Sequence, residues 1–154
     1  MISSIFIVGG KSEILILRSY KDDVTRSEAQ AFCSEVVATK ELANCPIRTV
    51  GECHFIHIEC QDIVLVCATK EDINACLVLK MMFQVLNLFK AYFGGQFNES
   101  LVRRNFVLIY ELLDEVIDFG YPQIMDGDIL KQYITQGGLK PADINNVFFL
   151  FRYN

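Results

Sequence analysis

The chain has 154 residues, 52% of them apolar, with a net charge of −5; this suits one compact domain with a substantial core and is short for two. Its charges are scattered, which excludes the basic face that nucleic acid requires and a polybasic patch for a membrane surface. The start, Met1 to Val8, has no basic leader, and no stretch approaches the roughly 18 uninterrupted apolar residues of a spanning helix, so a cytosolic chain without direct membrane insertion is expected.

Ser4 to Val8 and Glu13 to Tyr20 are β-rich runs joined by Gly9-Gly10-Lys11-Ser12, and they read as a hairpin whose glycines take the positive dihedrals of its turn. Asp22, Asp23 and Thr25 then offer helix-start chemistry, followed at helical spacing by Ala29, Phe32, Cys33, Val36 and Val37. After Asn44-Cys45-Pro46, three short runs, Ile47 to Val50, Cys53 to Glu59 and Ile63 to Thr69, bring the strand total to five. The segment Glu71 to Phe93 predicts a long helix, starting near Asp72 and ending at Gly94-Gly95.

That helix is unusual. At 100° per residue its polar cluster is Lys80, Gln84 and Asn87, while apolar residues from Leu77 through Met81, Val85, Phe89, Met82 and Leu86 to Phe83 span roughly 240°. One sheet cannot cover such an arc, so a neighbouring helix or a partner subunit must cover the remainder. Met81, Met82, Val85, Phe89 and Phe93 are the candidate partner-binding residues.

A third helix is expected from Glu99 to Phe119, capped by Asn98 and stopped by Gly120 and Pro122, and a short fourth from Asp128 to Gln136. Strand, strand, helix, three strands, then helices predicts an α+β fold, a mostly antiparallel five-stranded sheet flanked by helices.

Gly10-Lys11-Ser12 is not a phosphate loop: Ile5 stands where the motif requires its first glycine, and a strand follows instead of a helix. His54 and His57, three apart in a strand, point to opposite faces and cannot share a metal. The six cysteines, at 33, 45, 53, 60, 67 and 76, lack Cys-x-x-Cys spacing and read as buried or partly buried thiols. Glu111, Asp114, Glu115 and Asp118 share one helix side with Arg103 and Arg104 and read as a solvated or partner-facing surface. Nothing forms a nucleophile–base pair, so no enzyme, cofactor or metal is expected.

The stretch Asn105 to Gln123, NFVLIYELLDEVIDFGYPQ, resembles the signature segment of the medium (mu) subunits of clathrin adaptor complexes. Tyr20 to Val24 with Arg26, Asp72 to Ala75, Lys90 to Gly94, and Leu130-Lys131 with Tyr133 to Gln136 and Gly138 extend the resemblance over roughly the first 140 residues. Phe106 to Leu113 and Asp118 to Gln123 are similar to medium subunits of endocytic or Golgi adaptors, and Leu130 to Gln136 favours the endocytic type. The resemblance implies a longin-like domain over residues 1–140, seated on the helical-solenoid trunk of a large beta-type subunit. A second large subunit and a small sigma subunit would lie beside it, and the clathrin coat would be reached indirectly. It further implies a non-enzymatic scaffold role in vesicle-mediated transport and endocytosis, on the cytosolic face of coated pits. The runner-up is the longin regulatory domain of a vesicle-fusion or exchange-factor protein. The family continues into a larger signal-binding domain, whose sites have no counterpart here. Residues 141–154, with the apolar run 147–151, are instead expected to be a divergent tail that lowers solubility unless it packs on the domain.

Overall fold

The computed structural model describes residues 2–118, 121 and 122. Strands β1 (Ser4–Val8), β2 (Ile14–Ser19), β3 (Ile47–Val50), β4 (Cys53–Cys60) and β5 (Ile63–Thr69) form one sheet in the order β2-β1-β5-β4-β3. Every pairing is antiparallel. Helix α1 (Arg26–Phe32), continued by a wider turn over Cys33–Val37, covers one face. Helices α2 (Ala75–Tyr92), α3 (Glu99–Arg104) and α4 (Phe106–Val116) cover the other. A two-residue ribbon pairs β6 (Ile117–Asp118) with β7 (Tyr121–Pro122). The expected α+β fold with a five-stranded antiparallel sheet between helices is thus observed. The fourth helix at 128–136 and the tail 141–154 lie outside the described residues.

Coverage on both faces explains why the strands read as apolar runs rather than as alternating patterns. Every residue of β1 and β5 is buried, with Ile5, Ile7, Ile63, Leu65 and Cys67 facing α2 and α4, and Phe6, Val8, Val64, Val66 and Ala68 facing α1. Two cores result, divided by the sheet. On the α1 side Phe6, Phe32 and Phe55 form an aromatic cluster, with Phe32 stacked on Phe55 at 4.7 Å between ring centroids.

Local chemistry fixes the helix ends. Thr25 closes a capping box with Glu28, while Asp23 serves instead as acceptor for the Ser3 hydroxyl. The Lys70 ammonium, followed by the Thr25 amide, draws the Glu28 carboxyl down to about 2. Its contribution is therefore full above the ordinary carboxylate range and is lost as pH falls towards 2. Asn74, not Asp72, caps α2, because its carboxamide oxygen accepts from the amides of Cys76 and Leu77.

The helix expected over 99–119 is two helices. Asn105 leaves helical geometry at φ −125° and ψ 29°, and its Nδ2 donates to Leu101 O at 3.0 Å, competing with the backbone ladder. The second helix stops at Val116, where the backbone turns extended to enter the ribbon. In the first hairpin the positive dihedral falls on Ser12 (φ 61°), not on Gly9 or Gly10. Gly9 instead permits close approach: a Cβ there would lie 3.0 Å from the Glu13 carboxyl carbon and 3.1 Å from Glu99 Oε2.

Cys33, Cys53, Cys60 and Cys67 are buried, but Cys45 and Cys76 are exposed, a correction to the expectation that all six are covered. Burial raises the pKa of all four buried thiols, to about 11 for Cys33 and Cys53. Two of the six should therefore react quickly with a small thiol reagent at neutral pH, and peptide mapping should place both labels at Cys45 and Cys76. Rapid labelling of Cys67 in native protein would contradict the packing of β5.

Candidate partner-binding surface

Helix α2 is long and apolar enough to meet the length and composition of a membrane span, yet half of it is buried inside the protein. The reason is the core it shares. Leu108, Ile109, Leu112, Leu113 and Val116 of α4, which packs on β2, join the same core as the α2 and sheet residues, so α2 lies on β4 and β5 with α4 on the same face of the sheet.

All five candidate residues lie in that core: Met81, Met82, Val85, Phe89 and Phe93 are each 8% exposed or less. Phe89 and Phe93 pack on Phe97, at 4.8 and 5.9 Å between ring centroids. The arc expected to need a partner is covered from within, except at its two ends. Leu77 is 65% exposed and Phe83 53%. Counting 100° per residue, Phe83, Cys76, Asn87, Lys80, Gln84 and Leu77 span an outer face roughly 120° wide, and all six are exposed. Its rims are apolar and its centre is the polar cluster read from the sequence. The available apolar contacts of α2 are thus Leu77 and Phe83, carried on a rigid bed that includes the five buried candidates.

A second exposed apolar pair, Phe106 and Val107, opens α4 just past the break at Asn105. On the same helix Asp114 is ion-paired with Arg18 of β2 at 2.6 Å, Glu111 is half-buried and Glu115 is exposed. The Asp118 side chain lies outside what is described. Tyr110 turns the other way, and its phenol accepts from Leu17 N and donates to Leu17 O, both at 3.2 Å, along the free side of β2.

The start of α3 is clasped to the first hairpin. Arg103 Nη2 bridges Glu13 and Glu99 at 2.5 and 2.8 Å. The other Glu99 oxygen accepts Gly10 N at 3.0 Å, and Glu99 N donates to Asp62. The Gly10 amide, then Arg103, pulls the Glu99 carboxyl below its usual range. These charges are consumed within the molecule, so they orient α3 rather than offering a reactive pair. Among the described residues no set of three or more His, Cys, Asp or Glu is placed to hold a metal ion.

Layer order and sheet order together define an α+β domain whose fold recurs in adaptor assemblies. A chain in a homology model of the full-length AP-3 complex in a stretched open conformation superposes with a TM-score of 0.65 at 11% identity, over 99% of this chain and 94% of that one; this likeness concerns fold alone. No family model matches. The sequence itself is 44% identical to the AP-2 complex subunit mu of Dictyostelium discoideum over 89% of this chain. It is 39% identical to that of Caenorhabditis elegans over 93%, and 40% identical to the AP-1 complex subunit mu-2 of Bos taurus over 90%. The chain is a homologue of adaptor-complex mu subunits. It spans about a third of the length of these relatives, 31%, 32% and 33% respectively.

Proposed function

We propose that the chain is the assembly domain of an adaptor medium subunit of the endocytic type, acting as a scaffold without catalysis in vesicle-mediated protein transport. The observation that carries this reading is 44% identity to an AP-2 mu subunit across nearly the whole chain. Its partners are the large and small adaptor subunits: a beta-type large subunit, a second large subunit and a sigma subunit. The clathrin coat is reached through them. The chain then resides at the cytosolic face of coated pits as a peripheral member of the complex.

The outer face of α2 suits this role. A solenoid trunk presents helices, and helices pack by setting side chains of one into grooves of the other. Leu77 and Phe83 are two such side chains left uncovered, and their partly polar surroundings match the mixed character of interfaces between separately folded proteins. Met81, Met82, Val85, Phe89 and Phe93 contribute from beneath by keeping the helix straight and fixed.

The test is co-expression with the trunk of a beta-type adaptor subunit and capture through the trunk. The parent chain should co-purify, and the double variant Leu77→Asp/Phe83→Asp should lose at least about tenfold in retained protein, the scale of an interface hot spot, with its circular dichroism unchanged. Full retention by the double variant removes this face from the interface. Absence of the parent chain, under conditions where a full-length mu subunit is captured, ends the scaffold reading.

A further inference from the structure

Residues 38–46 connect the α1 layer to β3 and are tied to the sheet at two consecutive carbonyls. Arg48 Nη2 donates to Glu41 O at 3.1 Å and reaches the Glu41 carboxylate at 3.4 Å. His57 Nε2 lies 3.2 Å from Leu42 O. A carbonyl can only accept, so Nε2 carries the proton, leaving Nδ1 of the neutral ring as an acceptor. That Nδ1 is buried without a hydrogen-bond partner. The imidazole is 2% exposed and sits 5.6 Å from the Phe32 ring, while the His57 amide donates to Pro46 O at 2.8 Å. One residue therefore holds the connection at 42 and at 46.

We propose that residues 38–46 form a strap that neutral His57 keeps closed and protonated His57 releases. A proton on Nδ1 creates a buried donor with no acceptor. It also sets a second positive charge in reach of the Arg48 guanidinium of β3. Of the opposing charges, Glu59 of β4 faces the ring, and Glu41 of the strap is already engaged by Arg48. Helix α1 presents Phe32, and β5 pairs Val66 with His57. Burial outweighs the Leu42 carbonyl bond and the Glu59 charge, both of which favour the protonated ring, and holds the His57 pKa below its usual value, so the closed strap binds fewer protons than the open one. Closure is then complete above the ordinary histidine value near 6.5 and weakens as pH falls below it. The strap is also one wall of a shallow groove of about 320 Å³, where Ala38, Lys40 and Leu42 stand with Gly10, Gln61 and Asp62. Release would widen that groove.

The chain has only two histidines, which makes the test clean. Amide hydrogen-exchange protection of residues 38–46 should be compared in the whole chain at pH 7.5 and 5.5, after correction for intrinsic exchange rates. Protection should fall several-fold at pH 5.5, with a ceiling of about tenfold set by the one unit between 5.5 and 6.5. His57→Gln, whose amide can still donate to Leu42 O but does not titrate, should abolish the pH response, and His54→Gln should keep it. Equal protection at both pH values, or a response that survives His57→Gln, overturns the proposal. If His57→Gln does not fold, imidazole titration of the parent chain by NMR, assigned through His54→Gln, decides: the His57 resonance should titrate below 6.5, and titration at or above 6.5 overturns the strap.

Discussion

Met82→Asp should leave no cooperative thermal transition, whereas Phe83→Asp, one residue further along α2, should melt within a few degrees of the parent. Met82 is fully buried in the core that α2 and α4 share with the sheet. An aspartate there must either bury a charge with no partner or take up a proton, at a cost of several kcal/mol in addition to the lost apolar contacts. A domain of this size has roughly 5–15 kcal/mol of total stability, so the substitution consumes most or all of it. Phe83 already stands more than half exposed, and a surface exchange there is worth no more than about 0.5 kcal/mol. Circular dichroism melts of the two variants are enough to decide. A cooperative Met82→Asp melt near that of the parent would mean that α2 does not pack as described. A collapsed Phe83→Asp would mean that the outer face belongs to the core and not to a partner.

Phe32→Ala should cost about 3–5 kcal/mol, the range for truncating a buried aromatic ring. Phe32 is fully buried and touches Phe6, Phe55 and His57, so the vacated volume is bounded by two other rings and an imidazole, none of which can move far without leaving the sheet. At roughly 2–4 °C per kcal/mol for a chain of this length, the melting temperature should fall by about 10 °C. Urea unfolding should show a lower midpoint with an unchanged slope. Because α2 and α4 pack on the opposite face, thiol protection at Cys67 should survive in the folded variant while that at Cys33, beside Phe32, weakens. A loss below about 1 kcal/mol would show that the α1 layer is loosely held.

Most of this architecture was legible where the decisive chemistry is local. The hairpin at Gly9 to Ser12, the three later strands and the stripe of Ala29, Phe32, Cys33 and Val36 emerged with bounds within a few residues, because turn residues and periodicity are encoded side by side in the chain. The break at Asn105 was not legible. Apolar spacing runs in phase from Leu101 to Val116, so periodicity alone continues the helix, and only the Asn105 side chain bond to Leu101 O marks the interruption. Asn74 is hidden as the α2 cap for a related reason: Glu71 and Asp72 also carry helix-start chemistry, and only the folded chain brings the Asn74 carboxamide oxygen to the amides of Cys76 and Leu77. The partner surface was half legible. The apolar arc of α2 and the polar cluster beside it are legible, but which part stays uncovered depends on where α4 lies, a matter of tertiary packing. The same dependence left Leu77 and Phe83 outside the candidate residues and placed Met81, Met82, Val85, Phe89 and Phe93 within them. Exposure of Cys45 and Cys76 is likewise a tertiary fact, since the residue type argues for burial at every position.

The Tyr110 phenol has a further consequence. It occupies both outward-facing main-chain groups of Leu17 at the midpoint of β2, so one rim of the sheet has no ladder to offer there. Among the described residues the opposite rim, β3, pairs with β4 alone. A sheet that can grow on one side alone can join a neighbour once. Association of misassembled or excess chains through strand pairing should therefore end at pairs, because extension into a ladder requires two open rims on every copy.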